Sequence, residues 1–243
     1  MRKIFGYECK RLLWNRFFLG ILLIVLFYGW QVLDRVTVLG VSRTAPFSAW
    51  SFGDYLSRML PLLWLGALFF LTFFTSKAER RRALLTSATS VNPAVYGLVR
   101  CCCGLLGTVL LSLAAILLAA VFYGRMFQWY DWAQLLLPAL VTLAPPLVFA
   151  LGSGWALGRL RPWLLYVWML LPVLMTALPL PAALGLWNGS LFTERPLSLG
   201  TSDPDFSLPA ETVAVQCVLL LAGAALLAKQ AFQRQRTRDA QGV

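Results

Sequence analysis

The sequence predicts an all-α protein that crosses a membrane six times, as one transmembrane domain over residues 1–243. Hydrophobic residues make up 59% of the chain and charged residues only 13%, whereas soluble domains carry about 25% charged residues. The mean hydropathy is +0.72. The apolar residues also gather into runs close to the ~20 residues that a helix needs to span hydrocarbon. These observations exclude an ordinary soluble domain and favour a polytopic membrane protein.

Residues 1–16 are predicted to form an amphipathic helix that lies on the membrane surface. Basic residues alternate there with apolar ones, and Phe5, Cys9 and Leu12 fall on one side of a helical wheel. A helix of this kind buries its apolar side at the lipid interface and keeps its charges in water. The apolar run that follows lacks a small-residue cleavage site, so we expect it to be a retained first span.

Six apolar runs follow, and we predict that each is a membrane span. Apart from Arg100 near the start of the third, they contain no Asp, Glu, Lys, Arg or His. The third belongs to a helix from Pro93 to Gly124, which at 1.5 Å per residue is about 48 Å long and exceeds the ~30 Å of hydrocarbon. Its excess should project into the cytoplasm as a rigid stalk. The predicted spans cover about 17–33, 59–75, 98–124, 133–157, 163–178 and 212–228.

The segment 76–97 joins the second and third predicted spans and is rich in charge. Lys77 and the three successive arginines at 80–82 stand against one acid, Glu79. A charge at mid-membrane costs about 2.5 to 3.5 kcal/mol on insertion scales, so this segment should lie in water beside the membrane. Apolar and small polar residues follow the arginines and could form a binding surface. We therefore interpret 76–97 as a cytoplasmic coupling segment.

The segment 179–211 before the last predicted span is interrupted by prolines. The stretch from Ala177 to Trp187 is still apolar, which predicts a short re-entrant or interfacial helix on the outer side.

Charge distribution predicts the orientation of the chain. Most of the 21 lysines and arginines lie in the N-terminal helix, the segment 76–97, the turn after the fourth span and the C-terminal tail, whereas most acids lie in the other loops. The positive-inside rule then puts both termini in the cytoplasm and the segment 179–211 outside, in a multi-pass protein of the cell membrane.

The chain lacks residues that common membrane enzymes and carriers need. It has no histidine, which excludes HExxH zinc proteases, and it has no GxxxxGK[ST] phosphate loop. Ion-coupled carriers usually keep ionisable groups at mid-membrane, and the predicted spans hold none there. We therefore expect no catalytic residues, no cofactor and no enzymatic activity, and energy must come from another protein.

The basic residues and the cysteines do not predict further binding sites. The net charge is +11, but the basic residues flank apolar runs, so we expect no nucleic-acid binding. Cys101, Cys102 and Cys103 are consecutive, and consecutive helical side chains point about 100° apart. They therefore predict helix packing and no metal site, and with Cys9 and Cys217 we expect no structural disulfide.

Three stretches resemble the membrane subunits of type-2 ATP-binding-cassette (ABC) exporters. YECKRLLWNRFFLGILL, residues 7–23, is similar to the connecting helix of that family. SKAERRRALLTSATS resembles the loop that carries the coupling helix, although Thr86, Ser87 and Ala88 stand where many members have a proline within T-x-P. The proline-broken segment after the fifth predicted span is similar to the outer re-entrant helices of the family.

This resemblance implies a permease subunit that exports a lipid, a peptide or a hydrophobic drug-like substrate. A separate cytoplasmic ABC ATPase would supply the energy, and a second permease subunit, identical or distinct, would complete the transporter within the membrane lipid. For the arginines at 80–82, the sequence leaves open a role in membrane orientation alone. The residues implied at the ATPase-coupling interface are Glu8, Arg11, Arg80, Arg81, Arg82, Leu84, Leu85, Thr86 and Ser87.

Two other classes of function are compatible with the sequence. One is a membrane scaffold or sensor subunit with no transport path. The other is a substrate-binding membrane module, which predicts a closed pocket within one chain. Gln134, Thr142, Thr176 and Gln216 could line a path or bond neighbouring helices.

Overall fold

A computed structural model describes residues 2–75, 93–200 and 203–239. These residues form helices and connecting turns, with no β-strand among them, which confirms the all-α prediction for the described part of the chain. Two short 3₁₀ turns lie at Thr37–Leu39 and Ala182–Leu184. The helices are α1 Arg2–Leu13, α2 Arg16–Arg35, α3 Ala49–Thr75, α4 Pro93–Met126, α5 Ala133–Leu160, α6 Trp163–Met169, α7 Leu171–Ala177, α8 Ser190–Leu199 and α9 Ala210–Asp239.

Several of these helices have the length and composition of membrane spans. In the described ranges, five segments are long and apolar enough to cross a membrane, and Trp163–Ala177 is a shorter apolar segment formed by α6 and α7. Pro172 stands in the first turn of α7, where its missing N–H costs no helical hydrogen bond. The five long segments are Arg16–Leu39, Ala49–Phe74, Val99–Met126, Ala133–Leu160 and Ala210–Lys229.

Helix α3 begins at Ala49, well before the start near Met59 that the sequence suggested. The difference follows from an ion pair within the helix. Arg58 Nε lies 2.7 Å from Asp54 Oδ2, one helical turn away, and Asp54 is buried. Because Arg58 neutralises Asp54, the polar residues before Met59 can form the first turns of the same helix.

Helix α3 is the central element of the bundle. Its Trp64 is fully buried and packs against rings from three later parts of the chain, Phe149, Trp168 and Trp187. The indole N–H of Trp64 also donates a hydrogen bond to the carbonyl of Trp168 at 3.2 Å. Large apolar side chains buried on α3 therefore connect α5, α6 and the segment before α8.

Contacts along α3 give the directions of its neighbours. Gly154 of α5 faces Leu68 and Leu71, while Phe149 lies beside Trp64, so α5 runs parallel to α3. Phe17, near the start of α2, packs on Phe69 near the end of α3. Helix α2 is therefore antiparallel to α3.

After α5, the chain returns along α3. The carbonyl of Trp168 bonds Trp64, and Gly189 then lies beside Asp54 and Ser57 near the first turns of α3. The ring of Trp187 nevertheless reaches back to Trp64, at a centroid distance of 5.4 Å. The chain from α6 to Gly189 thus passes from the middle of α3 to its first turns.

Helix α9 crosses α5 at glycines. Its preceding segment lies at the beginning of α3, because Trp50 Nε1 donates to the Pro204 carbonyl at 2.8 Å. At the crossing, a Cβ added to Gly152 would overlap the carbonyl oxygen of Gly223. Because Gly152 and Gly223 have no side-chain carbon, the two backbones can approach closely, which is common in membrane helix packing.

We predict that Gly152→Ala lowers the free energy of unfolding by about 1 to 3 kcal/mol, the usual cost of overpacking. The added methyl group meets backbone, which cannot rotate away. Thermal unfolding in a mild detergent would measure the change. Gly20→Ala is the control, because no atom lies within 4 Å of a Cβ at Gly20; an equal loss in both variants would contradict the crossing.

Candidate functional site

Helix α1 packs its acidic and apolar residues inward. Asn15 caps α2 by accepting a hydrogen bond from the Phe17 N–H at 3.3 Å, and this separates α1 from α2. Cys9 and Leu12 lie on one side of α1, as the helical wheel suggested, but this side packs on α4 instead of facing the lipid interface. Glu8 is buried beside them at 2% exposure. A buried carboxylate is costly unless charges or hydrogen-bond donors surround it.

Two side chains, Arg11 and Tyr96, contact this carboxylate, and Arg100 bonds Tyr96 in turn. We call Glu8, Arg11, Tyr96 and Arg100 the Glu8 cluster. The Tyr96 hydroxyl donates to Glu8 Oε1 at 2.6 Å. Arg11 Nη1 lies 3.5 Å from Glu8 Oε2. Arg100 Nη2 donates to the Tyr96 hydroxyl oxygen at 2.8 Å. Both carboxylate oxygens therefore have partners, one from α1 and one from α4.

The protonation of Tyr96 fits this arrangement. Burial, followed by the hydrogen bond to Glu8, raises the pKa of Tyr96 above its ordinary value. The side chain consequently stays a neutral phenol at physiological pH. Its hydroxyl can then donate a hydrogen bond to Glu8 and accept one from Arg100 at the same time.

Aromatic rings at the end of α3 hold the two arginines of the cluster. The Arg11 guanidinium carbon lies 4.8 Å from the centre of the Phe73 ring. That of Arg100 lies 5.7 Å from the Phe74 ring and 4.3 Å from the Tyr96 ring. Cation–π contacts of this kind contribute about 0.5 to 2 kcal/mol each. The cluster thus joins α1, α3 and α4 where the segment 76–92 leaves α3 and enters α4.

A pair of thiols lies next to the cluster. Cys9 Sγ on α1 is 3.1 Å from Cys103 Sγ on α4, and the Cys103 thiol also points to the carbonyl of Phe5 at 3.9 Å. Both residues carry free thiols and are buried, whereas Cys102 is exposed. In the described residues, no group of three or more His, Cys, Asp or Glu side chains is arranged to hold a metal ion.

The structure brings together two of the residues that the sequence singled out, Glu8 and Arg11. The sequence predicted no role for Tyr96, and it placed Arg100 only near the start of the third predicted span. Their spacing of four residues puts them on one face of α4, which is the signal that could have paired them. The other predicted interface residues lie outside the described residues: Arg80, Arg81, Arg82, Leu84, Leu85, Thr86 and Ser87.

The contacts of the Glu8 cluster join three helices, α1, α3 and α4. The Arg11–Glu8 ion pair lies within α1, so the hydrogen bond from Tyr96 to Glu8 joins α1 to α4. Hydrogen bonds to charged groups contribute about 1.5 to 3 kcal/mol. Comparisons of this chain with protein-family models, with curated proteins and with solved structures find no match.

We predict that Tyr96→Phe lowers the free energy of unfolding by about 1 to 3 kcal/mol, because it removes a donor from a buried carboxylate. The measurement is thermal unfolding in detergent. Tyr7→Phe is the matched control, since Tyr7 lies one residue before Glu8 and is exposed. Equal stability of wild type and Tyr96→Phe would argue against the cluster.

We also predict that copper phenanthroline joins Cys9 to Cys103 in a disulfide, with the oxidant removing two electrons and two protons from the thiols. The short sulfur separation favours this pair over any pair that includes the exposed Cys102. Mass spectrometry of peptides prepared without reductant would identify the link. Cys9→Ser should abolish it, and a link between Cys9 and Cys102 instead would show that α1 lies differently on α4.

Proposed function

We propose that this chain is the permease subunit of an ABC exporter, with ATP hydrolysed by a separate cytoplasmic ATPase. The observation that supports it best is the Glu8 cluster. It fastens the N-terminal helix to α4 and to the end of α3, at both ends of the charged segment 76–92. A protein that pulls on that segment would move three helices as one body.

In this proposal the ATPase binds α1 and the segment Arg80 to Ser90. The basic residues of this segment guide the association and orientation of the ATPase, because charges across an interface influence the association rate more than the affinity. Closing of two ATPase subunits on ATP brings two permease subunits together. The Glu8 cluster passes that movement to α4, the longest helix described, and a path opens towards the outside. The substrate is a lipid, a peptide or a hydrophobic drug-like molecule.

The proposal includes six crossings, with both termini in the cytoplasm of a cell-membrane protein. The α6–α7 pair serves as the fifth crossing. Two contacts support this count. Gly154, before the pair, lies near Leu71, and Gly189, after it, lies near Asp54 towards the other end of α3. An even number of crossings also leaves both basic termini on one side of the membrane.

The segment before α8 is proposed to be re-entrant on the outer side. The ring of Trp187 packs on Trp64, and both are buried, whereas Gly189 only two residues later lies beside Asp54. This return over a few residues supports a segment that dips among the helices and leaves on the side it entered.

The proposal predicts that an ABC ATPase copurifies with the tagged chain from mild-detergent membranes at near-equal stoichiometry. Leu84→Asp with Leu85→Asp should abolish this association without preventing membrane insertion, because two charges would replace the apolar contact. Leu39→Asp is the control, because Leu39 is exposed and lies after α2, at the end away from α1. Bound proteins would be identified by mass spectrometry and ATP hydrolysis measured in the eluate.

Two results would contradict the proposal. Unchanged copurification in the double variant would remove the coupling segment from the interface. A monomeric preparation with no nucleotide-binding partner would favour a scaffold or sensor subunit, or a substrate-binding membrane module.

A further inference from the structure

Helices α5 and α9 enclose three buried polar side chains, Thr142, Thr212 and Gln216, which we call the α5–α9 seam. Thr212, Gln216 and Gly223 are spaced four and seven residues apart, so they share one face of α9. Gly223 is in backbone contact with Phe149 on α5. The face of α9 that carries Thr212 and Gln216 is therefore the face turned to α5.

The register of the two helices sets Thr142 opposite Gln216. Both helices run parallel to α3, because α5 follows it from Trp64 to Leu71 and α9 starts at its beginning. Thr142 precedes Phe149 by seven residues, and Gln216 precedes Gly223 by seven. Seven residues are about two turns and ~10 Å of helix. The two side chains thus lie at the same depth on facing sides.

These side chains are buried without internal hydrogen bonds. Thr142 and Thr212 have no exposed surface, and Gln216 has 4%. Among the described residues, nothing bonds the hydroxyl oxygen of either threonine, or Oε1 or Nε2 of Gln216. Buried polar atoms in native proteins almost always have a partner, and ordered water is the usual partner where the protein supplies none.

Prolines add further acceptors at the same depth. Pro145 and Pro146 lie within α5 and have no N–H, so the carbonyls of Val141 and Thr142 lose their α-helical donors. In membrane helices, such freed carbonyls are bonded again by side chains or by ordered water. The seam therefore combines free acceptors with the hydroxyl and amide donors of its side chains.

We propose that the α5–α9 seam is a binding site for an uncharged hydroxyl group, supplied by water or by a hydroxylated amphiphile. A hydroxyl both donates and accepts, which matches the mixture of groups in the seam. The seam residues bear no formal charge, so a buried ion would lack a counter-charge. The site lies within one chain and does not depend on the ATPase proposal.

Thiol labelling tests the site, because a thiol ionises readily only where a polar group solvates it. The chain contains its own control. Cys217 is adjacent to Gln216 but exposed on the outer face of α9, where the membrane surrounds it. One variant carries Gln216→Cys with all native cysteines replaced by alanine; the other retains only Cys217. Both full-length chains are placed in phosphatidylcholine vesicles and treated with methyl methanethiosulfonate.

We expect the Gln216→Cys variant to react at least about tenfold faster than Cys217, corresponding to a difference of about 1.4 kcal/mol in activation free energy. Reaction no faster than that of Cys217 would overturn the proposal. To distinguish water from an amphiphile as the source of the hydroxyl, the labelling is repeated with dioleoylglycerol, which has one free hydroxyl, and with its acetylated derivative, which has none. If dioleoylglycerol slows the labelling of the Gln216→Cys thiol and the acetylated derivative does not, the bound hydroxyl belongs to an amphiphile. If neither compound changes the rate, it belongs to water. Both results support a hydroxyl site.

Gln216→Leu supplies a second measurement if the cysteine variant does not fold. Leucine fills similar volume but offers the bound hydroxyl no partner. We expect its unfolding temperature in phosphatidylcholine vesicles to fall below that of wild type. A rise would overturn the proposal, because it would show that the amide is buried with nothing bound to it.

Discussion

The burial of one carboxylate, that of Glu8, sets the arrangement of the proposed cytoplasmic end of the bundle. An ionised group can be buried there only if donors and positive charge reach it from nearby. Arg11 comes from the same helix, but Tyr96 must come from α4 and can bond Glu8 only when α1 lies against that helix. The polar contact therefore selects one position for α1, whereas apolar packing alone would tolerate several.

The second constraint is the row of large rings on α3. Trp64 meets Phe149, Trp168 and Trp187, which come from three separate parts of the chain. Because α3 also carries Phe73 and Phe74 at its end, the same helix supports both the aromatic core and the two arginines of the Glu8 cluster. A displacement of the cluster would thus reach the middle of the bundle through one continuous helix.

The two buried polar regions differ in a way that suits different roles. In the Glu8 cluster, each carboxylate oxygen has a partner, and the contacts join rigid helices. In the α5–α9 seam, the Gln216 amide has none among the described residues, and the glycine crossing two turns further along α9 holds the helices close. A satisfied cluster fixes a structure, whereas a seam with free donors and acceptors can accept a guest molecule.

The sequence by itself determined the helical class, the long apolar helices and the amphipathic pattern that puts Cys9 and Leu12 on one side of α1. These follow from local periodicity and from the cost of charge in hydrocarbon, which any stretch of sequence displays. Only the tertiary structure decided that Asp54 lies inside α3 and that Tyr96 and Arg100 complete the Glu8 cluster. It also set Gln216 against α5, where the sequence left a path and a helix contact equally open. Pairings such as that of Glu8 with Tyr96 join residues far apart in the chain. They depend on how helices pack, and no local pattern records that.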